Sequence, residues 1–281
     1  MIDYSDSFRE AIQAKGMTPP VCIRPGVKHR FPGVGKKSSN EAGWCFLFPD
    51  GRGGIFGDYS SGLYEVWQAN RDQPMTQQER VAFRRKIAQA KREAEKVRQD
   101  NQAAAARRAF KIWEAAKPAK EDHPYLIKKR MKPSGLRQNE DGRLVAPLWD
   151  AEGMLHSIQF INEDGEKRFL RNGRIEACHF FIGDKPKPGD NICIAEGIAT
   201  AASIHAATGF PVAVAFNAGN LKAVAEALRE QHPDAKIVIC ADDDYRTPGN
   251  PGITKATEAA RAVGGWLAVP DFDQDRQEVA V

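Results

Sequence analysis

The chain has 281 residues, a formal net charge of +4 and 42% hydrophobic residues. This length and composition provide enough apolar material for one or two domains with a core, which excludes a wholly disordered protein. The charge is uneven, because residues 71–120 carry 14 Lys or Arg against 6 Asp or Glu, whereas residues 191–281 carry 7 against 12. A basic surface for phosphates and an acidic pocket for metal would explain this asymmetry, although a solvated charged helix explains the basic half equally well.

Cysteine usage and the N-terminal residues indicate the cellular compartment. The five cysteines are scattered without a Cys-x-x-Cys pair, which argues against a disulfide framework and against a four-thiolate zinc site. The stretch MIDYSDSFREAIQ lacks the basic start and apolar centre of a signal peptide, and no window approaches 18 uninterrupted apolar residues. We therefore expect a soluble, cytoplasmic protein with no membrane partner.

The first two segments of the chain differ in composition. Residues 1–70 are rich in Gly, Pro and aromatic residues, with short apolar runs between turn signals, which predicts a small β-rich module. Residues 76–116 contain no Gly or Pro, and Thr76 with Glu79 forms a capping-box pattern, which predicts one long helix or two. We assign residues 71–120 to a basic helical linker, either a solvated connector or a surface that contacts phosphates.

Two further segments are predicted in the rest of the chain. Between residues 121 and 190, alternating apolar and polar runs with Asp-Gly pairs at 141–142 and 164–165 predict antiparallel strands and hence a basic α+β subdomain. Across residues 191–281, nearly continuous apolar strands alternate with helices. This pattern is typical of a buried, largely parallel, Rossmann-like sheet and places the chain in the α/β class.

Acidic residues follow the apolar strands of this last segment. Glu196 follows the strand NICIA, and three consecutive aspartates follow KIVICA. Ligands bind at the carboxyl ends of parallel strands, so we expect Glu196, Asp242 and Asp244 at one edge of the sheet. Asp243 should face away because side chains alternate along an extended strand. A third set at the same predicted edge comprises Asp271, Asp273 and Asp275.

Crowded carboxylates of this kind have two interpretations. They form either a solvated acidic turn or a site for Mg²⁺, with Mn²⁺ as an alternative, because hard divalent cations take carboxylate oxygens as ligands. A metal site would predict phosphoryl or nucleotidyl transfer. Glu196 would then act as a general acid or base, or as a further metal ligand.

The strand ICIAEG followed by a strand ending in ADDD resembles the Toprim domain shared by DnaG-type primases, topoisomerases and some nucleases. The resemblance implies a general acid or base at Glu196, divalent metal at Asp242 and Asp244, and a third acidic motif at Asp271 and Asp273. The turn from Tyr245 to Pro251 is longer than the compact DxDxxG of many members, which leaves the glycine of that motif unassigned.

The preceding residues 142–184 resemble the basic subdomain of DnaG-type primases. Arg143, Pro147, Asp150 and Gly153 match a run of the form R-hydrophobic-P-hydrophobic-D-x-x-G. The resemblance implies that Arg143, Lys167 and Arg168 face nucleotide or DNA phosphates. For these basic residues the alternative is a turn or a solvated hairpin edge. Weaker candidates for the same role lie at predicted helix starts, namely Asn217, Lys222 and Lys255, with a plain helix N-cap as the alternative for Asn217.

Such primases carry a zinc ribbon before the catalytic core, and residues 22–67 have a similar texture. Only Cys22, His29 and Cys45 are available as ligands there, which is fewer than the four of a structural site, so we expect no zinc. Aromatic residues of this module, including Trp44 and Tyr59, either stack on single-stranded bases or pack in its core.

The resemblance thus implies a DNA primase of plasmids or phages, which makes RNA primers on single-stranded DNA from nucleoside triphosphates and works with a separate helicase. Two alternatives remain open. One is another Toprim activity such as a metal-dependent nuclease, and the other is a single-strand-binding protein without catalysis.

Overall fold

The computed structural model describes residues 4–59, 61–70 and 76–271, which form two compact units on either side of the Lys96–Val97 bond. The first unit contains helix α1 (Ser5–Gln13) and one antiparallel sheet in the order β1-β2-β3-β4. Helix α1 buries Phe8 and Ile12 against Cys45, Leu47 and Phe56 on one face of this sheet. Its strands are β1 (Lys28–Phe31), β2 (Gly43–Leu47), β3 (Gly53–Asp58) and β4 (Leu63–Gln68).

Helix α2 (Gln77–Ala115) is a single helix of 39 residues that crosses the Lys96–Val97 bond. It begins with the predicted capping box, because the Glu79 carboxylate accepts from the Thr76 N–H at 2.9 Å and the Thr76 hydroxyl accepts from the Glu79 N–H at 3.3 Å. Phe83 and Ile87 near its start pack on the first unit. None of the helices in the described residues is long and apolar enough to cross a membrane.

The second unit begins with an antiparallel sheet in the order β5-β6-β7-β8-β9. The predicted Asp-Gly turns precede β7 and β9, and Gly142 and Gly165 have φ values of +83° and +97° there, which glycine adopts readily. Helix α3 (Pro124–Lys129) lies between β5 and β6 in sequence. The strands are β5 (Lys117–Pro118), β6 (Arg137–Gln138), β7 (Leu144–Trp149), β8 (Leu155–Ile161) and β9 (Lys167–Phe169).

The other sheet of the second unit has the order β10-β12-β11-β13-β14. Strands β11 to β14 pair in parallel, and β10 pairs antiparallel with β12 at one edge. This largely parallel sheet with helices between its strands confirms the predicted α/β class. The strands are β10 (Phe180–Ile182), β11 (Asn191–Ala195), β12 (Val212–Val214), β13 (Lys236–Cys240) and β14 (Trp266–Ala268). The helices are α4 (Ile198–Thr208), α5 (Leu221–Gln231) and α6 (Pro251–Ala262).

One hydrophobic core joins the two sheets of the second unit. Leu144 and Ile161 of the antiparallel sheet belong to the same buried cluster as Cys193 and Ala195 of β11. This packing brings β9 toward the carboxyl ends of the parallel strands. The predicted division at residues 190 and 191 runs between β10 and β11, two strands of one sheet, and the four-part domain division stays a prediction.

Candidate active site at the carboxyl edge of the parallel sheet

Glu196 leaves strand β11 at the edge where the neighbouring strand β13 also ends. The two strands are in parallel register with Ala195 opposite Cys240, so both chains leave the sheet at the same edge, where the charge of Asp242 acts on Glu196. Glu196 is half-buried, and its pKa is raised first by burial and then by the negative charges of Asp242 and Asp244. A hydrogen bond from the Ala218 backbone and the positive charge of Lys167 oppose this shift.

Asp242 lies in the same electrostatic environment. Burial raises the pKa of its carboxyl group, and the charge of Asp244 raises it further. A hydrogen bond with the Thr200 side chain and the charge of Lys167 act in the opposite direction. Thr200 lies in the first turn of α4, four residues after Glu196, so one helix turn brings its hydroxyl back to the acidic edge.

Asp244 is held by the start of helix α6. The Gly252 N–H donates to Asp244 Oδ2 at 3.1 Å, and Asn250 Oδ1 accepts from the Asp244 N–H at 3.0 Å. Asn250 Nδ2 donates to Asp243 Oδ1 at 2.6 Å, so the Asp243 carboxylate is turned toward the loop. A Cβ atom at Gly252 would lie 2.2 Å from the Asp242 carbonyl oxygen, which explains why this close approach needs glycine.

Lys167 is the predicted basic residue that the structure brings to the acids. The surrounding protein lowers its pKa, with a further contribution from the like charge of Lys129, while Glu196 and Asp242 raise it. In the register of β8 and β9, Lys167 lies opposite the buried Ile161, which packs in the core shared with the parallel sheet. More than a third of the Lys167 surface nevertheless stays exposed.

Arg168, the next residue along β9, is not brought to the acidic edge. Side chains alternate along a strand, so Arg168 faces the side of the sheet opposite to Lys167. Its guanidinium donates to Glu166 Oε1 from Nε at 2.9 Å and from Nη2 at 2.8 Å. Arg143 shares this outer face, with its guanidinium 4.6 Å from the centre of the Phe160 ring and 2.7 Å from Asp141 Oδ2.

The remaining predicted residues have local partners or lie outside the described chain. Lys222 pairs with Glu226 at 3.7 Å, and Lys255 pairs with Glu258 at 2.7 Å, each within its own helix. Asn217 begins the short 3₁₀ helix Ala218–Asn220 without a side-chain capping bond. Asp271 is exposed, and Asp273 and Asp275 lie outside the described residues.

The turn after β12 contains two features that the sequence analysis missed. Phe216 has a φ of +68°, a conformation that bulky residues rarely adopt, and its ring packs on Phe169 of β9. The buried Asn220 side chain accepts from the Ala177 N–H at 2.9 Å. Its Nδ2 also donates to the carbonyl oxygens of Ile175 at 3.0 Å, Cys178 at 3.1 Å and Ala215 at 2.9 Å.

The carboxylates of Glu196, Asp242 and Asp244 are donors of the kind that a hard divalent cation takes. Their side chains do not converge on a single ion position. Among the residues that the structure describes, no three His, Cys, Asp or Glu side chains are close enough to share one ion. Burial and the charges of neighbouring aspartates raise the pKa values of Glu196 and Asp242, and a bound cation would favour their charged forms. Carboxylate oxygens are also the ligands that such cations take in proteins.

The C-terminal part of the chain is similar to a known protein family. Residues 191–278 match the family model described as a Toprim domain. The match covers the segment in which the Glu196 and Asp242 strands predicted a Toprim domain, and it agrees with that prediction.

Two curated relatives extend the similarity to most of the chain. Both are DNA primase TraC of Escherichia coli, 36% identical over 281 residues and 34% identical over 285 residues. The alignments cover 95% and 96% of this chain but only 26% and 19% of the relatives, so the chain spans about a quarter or less of their length.

Two solved primase structures overlap with the chain at low similarity. The primase fragment of the bacteriophage T7 primase-helicase protein has 14% identity and a TM-score of 0.41, covering 87% of this chain and 90% of that chain. The Aquifex aeolicus primase with its zinc-binding and RNA polymerase domains has 13% identity and a TM-score of 0.40, covering 99% and 83%.

Proposed function

We propose that the chain is a DNA primase that synthesises short RNA primers on single-stranded DNA by nucleotidyl transfer, in plasmid or phage replication. The observation that carries the proposal is the convergence of Glu196, Asp242 and Lys167 at the carboxyl edge of a Toprim domain. The similarity to two DNA primases over nearly the whole chain supports the same activity.

Glu196, Asp242 and Asp244 are the residues assigned to hold Mg²⁺, with Mn²⁺ as the alternative, and Asp273 is retained as a further candidate ligand. When bound, such an ion supplies charge neutralisation on the attacking and leaving oxygens of a phosphoryl group. The fit rests on the carboxylates of Glu196 and Asp242, because burial and neighbouring carboxylate charges raise their pKa values and a bound cation would favour their charged forms.

In the arrangement where Asp242 and Asp244 hold the ion, Glu196 is the group assigned to move a proton. Its raised pKa brings the carboxylate closer to the range in which it accepts a proton from an attacking hydroxyl, which it later returns to solvent. The Ala218 backbone hydrogen bond orients the carboxylate for this step. Its position directly after Ala195, the last residue of the buried strand β11, restrains its geometry.

Lys167 is assigned to the phosphates of the incoming nucleoside triphosphate, because a cation placed at the edge that carries Glu196 and Asp242 attracts and orients anionic substrate there. Arg143 and Arg168, on the outer face of the same sheet, are assigned to the backbone of the DNA template. Asn217, Lys222 and Lys255 are retained as weaker candidates, since both lysines already have ion-pair partners. Strand unwinding is assigned to a separate helicase.

The activity is tested by incubating the chain with labelled nucleoside triphosphates, single-stranded DNA and MgCl₂ or MnCl₂. New short oligonucleotides support the primase, shortened template indicates a nuclease, and DNA binding without either product indicates a binding protein. Asp242→Asn and Glu196→Gln should abolish synthesis. Asp243→Asn is the matched control, because an Asn oxygen still accepts from Asn250 and the side chain is turned toward the loop.

Metal binding is measured separately by thermal unfolding. A ligand that binds only the folded state raises the melting temperature with concentration, so Mg²⁺ should stabilise the unmodified chain and Asp243→Asn. The same additions should have little effect on Asp242→Asn. An equal response of all three proteins would contradict the assignment of the metal to this edge.

A further inference from the structure

The loop between Asp244 and helix α6 is ordered by its own hydrogen bonds and borders the acidic edge. The Thr247 N–H donates to the Asp244 carbonyl at 2.7 Å, and the Asn250 N–H donates to the Thr247 carbonyl at 2.9 Å. The Thr254 hydroxyl then donates to the Gly249 carbonyl at 2.9 Å. These bonds form two consecutive turns, which fix the loop backbone although residues 245–249 are exposed.

Tyr245 and Arg246 project from this loop as an adjacent aromatic ring and cation. Tyr245 is 48% exposed. Arg246 Nε donates to the Tyr245 hydroxyl at 2.9 Å, and the guanidinium lies 5.3 Å from the centre of the Tyr245 ring. The aromatic ring and the positive charge are therefore close enough for one nucleotide to contact both.

The same two residues line a groove with a volume of about 600 Å³. Other parts of its wall come from Asp243, Asn250 and Ile253, which adjoin the acidic edge. Arg246 is the only Lys or Arg in the sequence between Lys236 and Lys255, in a segment that carries a net negative charge. Within this segment, Arg246 is therefore the positive charge that would attract a polyanion approaching the acidic edge along the groove.

An aromatic ring beside a cation is the combination that holds single-stranded nucleic acid, because bases stack on the ring and phosphates pair with the cation. We propose that Tyr245 and Arg246 hold one nucleotide of a single strand beside the acidic edge, with the base on Tyr245 and the adjoining phosphate on Arg246. The proposal rests on the function proposed above, because it takes the acidic edge as the place of reaction.

Photocrosslinking tests the position of the strand directly. Single-stranded DNA containing 5-iodouracil should crosslink to Tyr245 in the unmodified 281-residue chain without nucleoside triphosphates. Mass spectrometry of the crosslinked peptides locates the attachment. Crosslinks that map only to other parts of the chain would overturn the proposal.

Fluorescence anisotropy measurements of DNA binding distinguish the contribution of the Tyr245 ring from that of the Arg246 charge. Tyr245→Ala should weaken DNA binding about tenfold, within the usual range for loss of one base stack, whereas Tyr245→Phe should bind like the unmodified chain. Arg246→Ala should reduce the slope of log affinity against log salt by about 0.7, the value for one phosphate contact on a single strand.

Two exposed residues at the opposite edge of the same sheet provide matched controls. Trp266 is 67% exposed at the start of β14, and Arg261 lies in the last turn of α6. Trp266→Ala and Arg261→Ala should leave affinity and salt slope unchanged. Equal losses in Tyr245→Ala and Trp266→Ala would show nonspecific damage and would count against the groove.

These results are distinguishable from failure of the proposed function. If the chain crosslinks at Tyr245 and makes no primers, the groove binds nucleic acid and the synthetic activity is refuted. If the chain makes primers while Tyr245→Ala and Arg246→Ala bind and crosslink like the unmodified chain, the activity stands and the groove proposal is wrong.

Discussion

Phe216 and Phe169 pack edge to face, with ring centroids 6.2 Å apart and an interplanar angle of 73°. Phe169 lies two residues after Lys167 on β9 and therefore points to the same side of that sheet. Phe216 belongs to the turn that also contains Ala218, whose backbone bonds Glu196. The two rings thus join the strand that carries the cation to the turn that orients the carboxylate.

The contact between Phe216 and Phe169 should support the rate of primer synthesis. Phe216→Leu keeps an apolar side chain but loses the edge-to-face packing on Phe169. Because this contact joins the strand of Lys167 to the turn that bonds Glu196, its loss should displace the reacting groups slightly, and such displacements lower catalytic rates. We expect the rate of primer synthesis to fall on the order of tenfold to a hundredfold, with an unchanged circular dichroism spectrum. Phe110→Leu, at an exposed position on α2, is the control. Unchanged kcat in Phe216→Leu would show that the contact has no positioning role.

Adjacent residues of β9 should differ sharply in their effect. Lys167→Ala removes the cation that faces Glu196 and Asp242, so steady-state primer synthesis should fall by roughly 10². Arg168→Ala should keep at least a large part of this activity, because Arg168 faces the other side and pairs with Glu166. Losses of equal size would mean that the strand register does not separate their roles.

Gly252 and Gly197 should respond differently to the same substitution. Alanine at Gly252 forces its Cβ against the Asp242 carbonyl at 2.2 Å, and we expect the free energy of unfolding to fall by about 1–3 kcal/mol, the usual cost of overpacking. Alanine at Gly197 meets only Thr200 Oγ1 at 3.8 Å, so its cost should be smaller. Urea titration compares the two, and the reverse order would contradict the close approach.

Asp242 should lower the stability of the folded chain at neutral pH when no divalent metal is added. Its folded-state pKa is raised, so its contribution to stability is present below the unfolded pKa near 4 and is lost as pH rises through the folded value. Asp242→Asn should therefore melt at a higher temperature than the unmodified chain at pH 7 in EDTA. The difference should shrink toward pH 4, and a constant difference would refute an electrostatic origin.

The contribution of His179 to folding stability should depend on pH in the opposite direction to that of Asp242. Burial lowers its pKa from 6.5 to about 4, with His232 adding to the shift while the Ala177 backbone and Asp150 oppose it. The neutral ring is favoured in the fold, so its stabilisation is present above pH 6.5 and is lost as pH falls through 4. The loss should amount to about 3 kcal/mol between pH 7 and pH 4 in urea unfolding. His179→Gln should flatten this part of the profile, and an unchanged slope would assign the acid sensitivity elsewhere.

The meeting of Glu196 with Asp242 was predictable because it needs only two parallel strands that end at the same edge. The choice between Lys167 and Arg168 was not, since either can face the parallel sheet until the pairing of Lys167 with Ile161 sets the register. Thr200 had a usable signal, as it lies one helix turn after Glu196.

Other parts of the site carry no sequence signal. The Ala218 N–H is a backbone group, so no residue type marks it in the sequence, and the positive φ of Phe216 in the same turn is equally unmarked. Strand β10 has three residues, and its place beside β12 comes from long-range pairing. The strand order of the parallel sheet likewise depends on packing between segments that are distant in sequence.

Asn220 and strand β10 have a consequence for anyone who wishes to excise the C-terminal part of this chain. The Asn220 side-chain amide forms hydrogen bonds with the backbone of residues 175–178, more than forty positions earlier in the chain. Strand β10 pairs with β12 and forms one edge of the largely parallel sheet. A fragment that starts at residue 191 would leave β12 with an unpaired edge and Asn220 without most of its partners. A cut placed before residue 175 keeps both.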